Sequence, residues 1–254
     1  MKHPKAPQNF RVLTTTDTSI TYAWDAVESA ASYRFYTGAD TTPMTLFSNQ
    51  VTIQGLEQMT SYSAYVTAID GRFEGEKSKT ITQMTVIAIP TLKTPHIDGI
   101  TYLLGETVSD PNVTAFAVYK EDGTWFKNGT ITNGEIKFYA TGNLIAGQKY
   151  TGRAIYGKLG SGTEVLGMPL EFECIKARIT LNPVTTAERI VAGTSEAGLQ
   201  VRTWQNGVAR TTVPVDTTGK YTSSLSSVAV GDVIKAEVKI GTTYATTVEW
   251  TVRE

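Results

Sequence analysis

The chain has 254 residues and a formal net charge of −1, with 41% hydrophobic and 19% charged residues. This is ordinary globular usage, which excludes a disordered chain, and the near-neutral balance without blocks of like charge removes the electrostatic footprint of a nucleic-acid binder. Cys174 is the single cysteine, so no intrachain disulfide can form.

At the N-terminus Met1-Lys2-His3-Pro4-Lys5 carries basic residues, but no apolar run follows, so no signal peptide is expected. No segment approaches the ~18 consecutive apolar residues of a membrane helix, and no membrane insertion is expected. Through most of the chain, apolar residues alternate with a period of two and are rich in Thr, Val, Ile and Tyr, which predicts strands. The helix-permissive run Val27–Ser32 is too short to matter. The fold class predicted is all-β, with small β-sandwiches in tandem.

The first unit is expected over residues 1–90. Its apolar runs are Phe10 and Val12; Ile20, Tyr22 and Trp24; Tyr33 and Phe35; Val51 and Ile53; Tyr62, Ala64, Val66 and Ala68; and Ile81. Turn residues such as Asp70-Gly71 separate them. The pattern Pro7-x-Asn9-Phe10-x-Val12, Ile20-x-Tyr22-x-Trp24, Tyr33, then Gly55-Leu56 before Tyr62-x-Ala64-x-Val66-x-Ala68 resembles fibronectin type III domains. That resemblance implies a core tryptophan at Trp24 and a tyrosine corner at Tyr62, whose hydroxyl bonds back to the chain before its strand. An Arg-Gly-Asp attachment tripeptide is absent; Asp70-Gly71-Arg72 reads in the other order.

Ile89–His96 holds two prolines and little alternation, and is expected to be a short stiff spacer. Beyond it, residues 91–175 and 176–254 read as two copies of one design. Leu103-x-Gly105 matches Val191-x-Gly193, and Val113-x-Ala115-x-Ala117 matches Leu199-x-Val201-x-Thr203. Asn133-Gly134-x-Ile136 matches Thr218-Gly219-x-Tyr221, and Ala146-Gly147-x-x-Tyr150 matches Val230-Gly231-x-x-Ile234. Leu170-x-Phe172-x-Cys174 matches Val248-x-Trp250-x-Val252. The glycines are expected where turns need positive φ, and each unit is expected to bury its own core. The pattern, complete in the third unit through Val191, Gly193, Leu199, Val201, Asp216, Gly219, Tyr221, Gly231 and Asp232, resembles bacterial immunoglobulin-like domains. In the second unit Asn133-Gly134 and Gln148 depart from it.

No catalytic, metal or cofactor signature is present, and no enzyme is expected. Cys174 reads as a buried apolar residue, because a catalytic thiol wants a histidine partner and only His3 and His96 exist. Glu171 and Glu173 alternate with Leu170 and Phe172, as the solvent face of a strand does. Asp216 and Asp232 offer oxygens, but a calcium site needs about six and no acid cluster surrounds them. Gly160-Ser161-Gly162 lacks the lysine and helix of a phosphate loop.

The remaining handles are aromatic. Trp204 alternates out of phase with Leu199, Val201 and Thr203, which places it on the opposite face beside Arg202. Of the adjacent pair Trp125 and Phe126, one must face outward. Exposed aromatics of this kind stack on sugars or anchor protein interfaces, so these four residues are the candidate surface-binding positions.

The two resemblances imply a non-enzymatic structural or adhesive protein. The reading favoured is a bacteriophage virion accessory component, either head decoration or tail and baseplate. The first alternative is a stalk or adhesin segment of a bacterial cell-surface protein. The second is a set of non-catalytic modules from a secreted polysaccharide-degrading enzyme. Expected partners are other virion proteins or bacterial surface glycans and proteins, and the expected location is the virion, with the bacterial surface as alternative.

Overall fold

The structure is a computed structural model that describes residues 3–38 and 42–253. It is all-β: no helix occurs among the described residues. Val27–Ala30 makes a turn, closed by the Ala30 amide donating to the Val27 carbonyl at 2.9 Å, and Ser32 already opens a strand.

The first sandwich contains β1 (Arg11–Thr15), β2 (Ser19–Ala23), β3 (Ser32–Thr37), β4 (Met44–Leu46), β5 (Gln50–Gln54), β6 (Ser61–Asp70), β7 (Phe73–Glu74) and β8 (Ile81–Met84). One sheet has the order β1-β2-β5; the other runs β4-β3-β6-β7, with β8 also on β6. Alternation sends Ile20, Tyr22 and Trp24 inward to meet Tyr33, Phe35, Ala64, Val66 and Ala68. The Trp24 indole lies 6.1 Å from the Phe35 ring and 5.3 Å from that of Tyr33. Tyr62 makes the expected corner: its hydroxyl accepts from the Glu57 amide at 2.9 Å.

The second group comprises β9 (Thr91–Leu92), β10 (Tyr102–Glu106), β11 (Val113–Lys120), β12 (Trp125–Thr132), β13 (Glu135–Tyr139), β14 (Lys149–Tyr156), β15 (Val165–Leu166) and β16 (Leu170–Glu173). Its strands form a continuous sheet in the order β15-β14-β11-β12-β13-β10-β9, with β16 on β14. The continuity comes from β12, which pairs with β11 and then, from Thr130 onward, with β13. The third sandwich holds β17 (Ile190–Thr194), β18 (Gln200–Gln205), β19 (Val208–Pro214), β20 (Lys220–Ser224), β21 (Val233–Ile240) and β22 (Thr243–Thr251). Its sheets are β17-β20 and β19-β18-β21-β22.

The repeat is visible in the backbone bonding. Thr107 N–H bonds Gly134 O at 2.8 Å, as Ser195 N–H bonds Gly219 O at 2.9 Å. Cys174 N–H bonds Gln148 O and Val252 N–H bonds Asp232 O, both at 2.9 Å. The second copy also has a tyrosine corner, in which the Tyr150 hydroxyl accepts from the Ile145 amide at 3.1 Å.

Four expectations need correction. Gly105 and Gly193 are not positive-φ turn residues. They are strand glycines, and a Cβ would lie 2.4 Å from the Thr91 carbonyl oxygen at Gly105 and 2.0 Å from that of Thr180 at Gly193. Close approach by the preceding segment, not conformation, excludes a side chain there. The match to the third unit holds at Val113, whose amide bonds Asp110 O as that of Leu199 bonds Glu196 O, but Ala115 and Ala117 are out by one residue along β11. Phe116 opposes Gly129, whose Cβ position faces Phe138, and Phe116 and Val118 are fully buried. Facing pairs share a side of the sheet, so Phe116 and Val118 take the inward places of Val201 and Thr203. Tyr119 then corresponds to Trp204. The expected spacer Ile89–His96 is not free chain, since its Thr91 and Leu92 pair with Glu106 and Gly105. Nor is each core self-contained: Ile97 is buried in the cluster of Val191, Val201, Tyr221 and Val238.

The chain divides into two compact units, Met1–Ile89 with Ala154–Met168, and Pro90–Arg153 with Pro169–Glu254. Within the first, Met168 N–H donates to Ile87 O at 2.8 Å.

Candidate functional site

Trp204 and Arg202 lie on the outer face of the third sandwich's larger sheet, as alternation along β18 requires: Val201, Thr203 and Gln205 are buried beneath. Pairing with β21 sets Arg202 opposite Glu237 and Trp204 opposite Lys235. The Arg202 Nε donates to Glu237 Oε1 at 2.7 Å, and Trp204 Nε1 donates to the same oxygen at 2.6 Å. Lys235 Nζ stands 3.5 Å from Glu237 Oε2. The Arg202 guanidinium carbon lies 3.6 Å from the Tyr244 ring centroid and 4.6 Å from that of Trp204, while Lys235 Nζ lies 4.4 Å from the Trp204 centroid. Burial of Glu237 opposes its ionisation. The bonds from Arg202 and Trp204, with the charges of Lys235 and Arg202, outweigh that burial and hold the carboxyl below its ordinary value. The result is an ordered lattice in which cations lie over the indole and its N–H is used internally.

Trp125 and Phe126 divide as two adjacent strand residues must. Trp125 is 59% exposed, and its Nε1 donates to Asn128 Oδ1 at 2.8 Å. Phe126 is half-buried, with its ring 5.9 Å from Tyr150 and Lys120 Nζ 5.7 Å from its centroid. Tyr150 also lines a shallow cleft of 380 Å³ with Glu121, Lys149, Thr151, Glu171 and Phe172. The two candidate pairs are on different sandwiches. Of the four residues, Trp125 presents the most open ring.

The acids weighed as calcium ligands have local duties. Asp216 Oδ1 accepts from the amides of Thr218 at 2.8 Å and Lys220 at 3.0 Å, which shapes the turn before β20. Asp232 accepts from the Ala229 amide at 2.9 Å, Gln205 at 2.8 Å and Asn206 at 2.7 Å. Among the described residues, no group of three metal-ligating side chains forms. Glu171 and Glu173 are exposed on β16. Gly160 N–H donates to Glu164 Oε1 at 3.0 Å inside a hairpin loop. Cys174 is buried, and its thiol is pushed up to about 11 by that burial and the Asp98 charge. No helix of the structure is long and apolar enough to cross a membrane.

Sequence reasoning missed Glu237, Lys235 and Tyr244. The signal for the first two was present: Lys235, Glu237 and Lys239 alternate with Ile234, Ala236 and Val238. It also missed a comparable lattice on the first sandwich. There Glu74 accepts from Tyr36 at 2.8 Å and Thr67 at 2.6 Å and pairs with Arg34 at 2.5 Å.

Residues 5–84 match the family model of the fibronectin type III domain. This segment is a fibronectin type III domain. It carries Trp24 at the core and Tyr62 at the corner, as its sequence motif implied. Over 81 residues the chain is 36% identical to the tail tube protein gp17.1* of Bacillus phage SPP1, which covers 32% of this chain and 30% of that protein. The chain thus spans under a third of that relative. Among solved structures, the FN1-FN3 domains of chicken CNTN1 cover all of both chains at 12% identity and a TM-score of 0.32. The FN5 domain of Drosophila Lar matches 33% of this chain and 97% of that one, at 23% identity and a TM-score of 0.28. A family 28 exopolygalacturonase of Yersinia enterocolitica matches 37% of this chain and 21% of that one, at 19% identity and a TM-score of 0.30.

Proposed function

We propose that the chain is a non-catalytic structural component of a bacteriophage virion, placed at the tail, whose β-sandwiches present surfaces to other virion proteins or to the host. The observation that carries this is the 36% identity over 81 residues with a phage tail tube protein. It favours the tail over a head decoration. The second and third sandwiches act in this reading as bacterial immunoglobulin-like domains. Their shared bonding scheme, with a positive-φ glycine at each of Gly147 and Gly231, supports one design used twice. The work of such a chain is to hold surfaces apart and in order, which fits side-chain lattices that satisfy themselves.

Mass spectrometry of density-purified particles from the encoding phage or prophage tests the assignment, with immunogold labelling to place the chain. The expected result is recovery in stoichiometric amount with gold on the tail. Absence from intact particles, or recovery with the bacterial wall, overturns it. For host contact, a glycan array on the full chain and on Trp125→Ala separates a glycan platform from a protein-only surface. Trp125 is mostly exposed, so its removal is expected to leave stability within about 0.5 kcal/mol while abolishing any glycan signal.

A further inference from the structure

The junction between the second and third sandwiches is built unlike a spacer. Residues Ile97–Ile100 form a tight turn, with the Ile100 amide donating to the Ile97 carbonyl at 3.1 Å and Gly99 at φ +89. Gly at the third position of such a turn is what a type II geometry needs. The turn is tied to the strand end that leaves the second group. Ile97 bridges Ile175 in parallel, Asp98 N–H donates to Ile175 O at 2.9 Å, and Ile175 N–H donates to His96 O at 2.9 Å. Ile97 is fully buried, and it lies in the core cluster of the third sandwich together with Ala177, Val238 and Ile240.

The third sandwich meets the same turn from the other side. Its β21–β22 hairpin turns at Gly241. A Cβ at Gly241 would lie 2.6 Å from Thr101 Oγ1 and 3.2 Å from Gly99 O, and a Cβ at Gly99 would lie 3.3 Å from Ile240 Cγ2. Two glycines thus bring two backbones together over a buried isoleucine. The junction has a covalent connection through 175–177, a buried side chain crossing from one sandwich into the other core, and a hairpin seated on the turn. Bending it would expose Ile97 and separate that close backbone contact, so low-energy hinging has no route.

We infer that the second and third sandwiches form one rigid body with a fixed angle, locked by Ile97 and by the seating of Gly241 on Gly99 and Thr101. This is independent of where in a virion or cell the chain acts.

Pulsed electron–electron distance measurement tests it on the full chain carrying Thr132→Cys and Thr212→Cys, each nitroxide-labelled. Cys174 is buried with a raised pKa and does not label at neutral pH. One narrow distance distribution is expected, and a broad or multi-peaked one overturns the inference. Gly241→Val is expected to broaden it several-fold. Because Gly241 has positive φ, the control is Gly207→Val, at φ +75 with nothing within 4 Å, which imposes similar backbone strain away from the junction. That variant is expected to stay narrow. Should Gly241→Val fail to fold, Thr101→Trp wedges the same contact from the partner side without a positive-φ backbone. A narrow distribution in the folded wedge variant overturns the role given to this contact.

Discussion

At the residue scale the third sandwich depends on how one carboxylate is held. Glu237 is nearly enclosed, with a side chain 8% exposed, and accepts bonds from Arg202 and Trp204. Truncating one partner of a buried, bonded charge leaves the others unsatisfied. Glu237→Gln is therefore expected to cost about 1–3 kcal/mol in urea unfolding. Its folded pKa is depressed, so the stability it contributes is complete above the ordinary carboxyl value of 4.5 and is lost as pH falls through the lower folded value. The variant should show a shallower loss in that acid window. His96 acts at higher pH. Burial lowers its pKa from 6.5, partly offset by the bond its ring N–H donates to the Glu173 backbone carbonyl, so the folded chain resists protonation while the unfolded chain accepts it. Stability is expected to start falling as pH drops below 6.5, and His96→Asn to remove that early decline. Unfolding midpoints taken between pH 8 and pH 5 check it.

At the element scale, glycine has two jobs that sequence alone does not separate. Gly207 sits at φ +75 with open space, whereas Gly193 has an ordinary backbone but no room beside Thr180 O. Gly193→Ala is expected to destabilise by about 1–3 kcal/mol through overpacking. Gly207→Ala strains a turn instead, at a cost near 1 kcal/mol. Chemical denaturation of both variants should rank them in that order; equal losses would mean that the strand at Gly193 yields easily. The slip in β11 has a similar cause. Ala115, Phe116, Ala117 and Val118 are all apolar, and a period of two is unreadable in such a run. Small alanines can occupy either face, so only the cross-strand partner of Phe116 decides which side is inside.

At the scale of the molecule, cores that look separate along the chain are shared in space. Ile97 precedes β10 of the second group yet belongs to the cluster of the third sandwich. Ile97→Ala is expected to cost about 2–5 kcal/mol. It should also change the heat-capacity profile of the full chain. In the parent the second and third sandwiches should melt in one transition, which the variant splits or shifts to lower temperature. Two independent transitions for them in the parent would contradict a shared core.

Alternation and turn residues were sufficient to read strands and an all-β class, because these are local consequences of side-chain period and backbone sterics; the fibronectin type III segment was read from the resemblance of its motif, with Trp24 and Tyr62, to that family. The doubled scheme of the later units was likewise legible from paired glycines. The outward placement of Trp204 followed from parity, but its partners did not, because Lys235 and Glu237 reach it, and Tyr244 reaches Arg202, across strands far apart in sequence. The role of Gly193, the inward side of β11 and the position of Ile97 were likewise decided only by tertiary structure. Each depends on which backbone or core lies against a residue, and that proximity is set by folding rather than by the neighbouring residues in the chain.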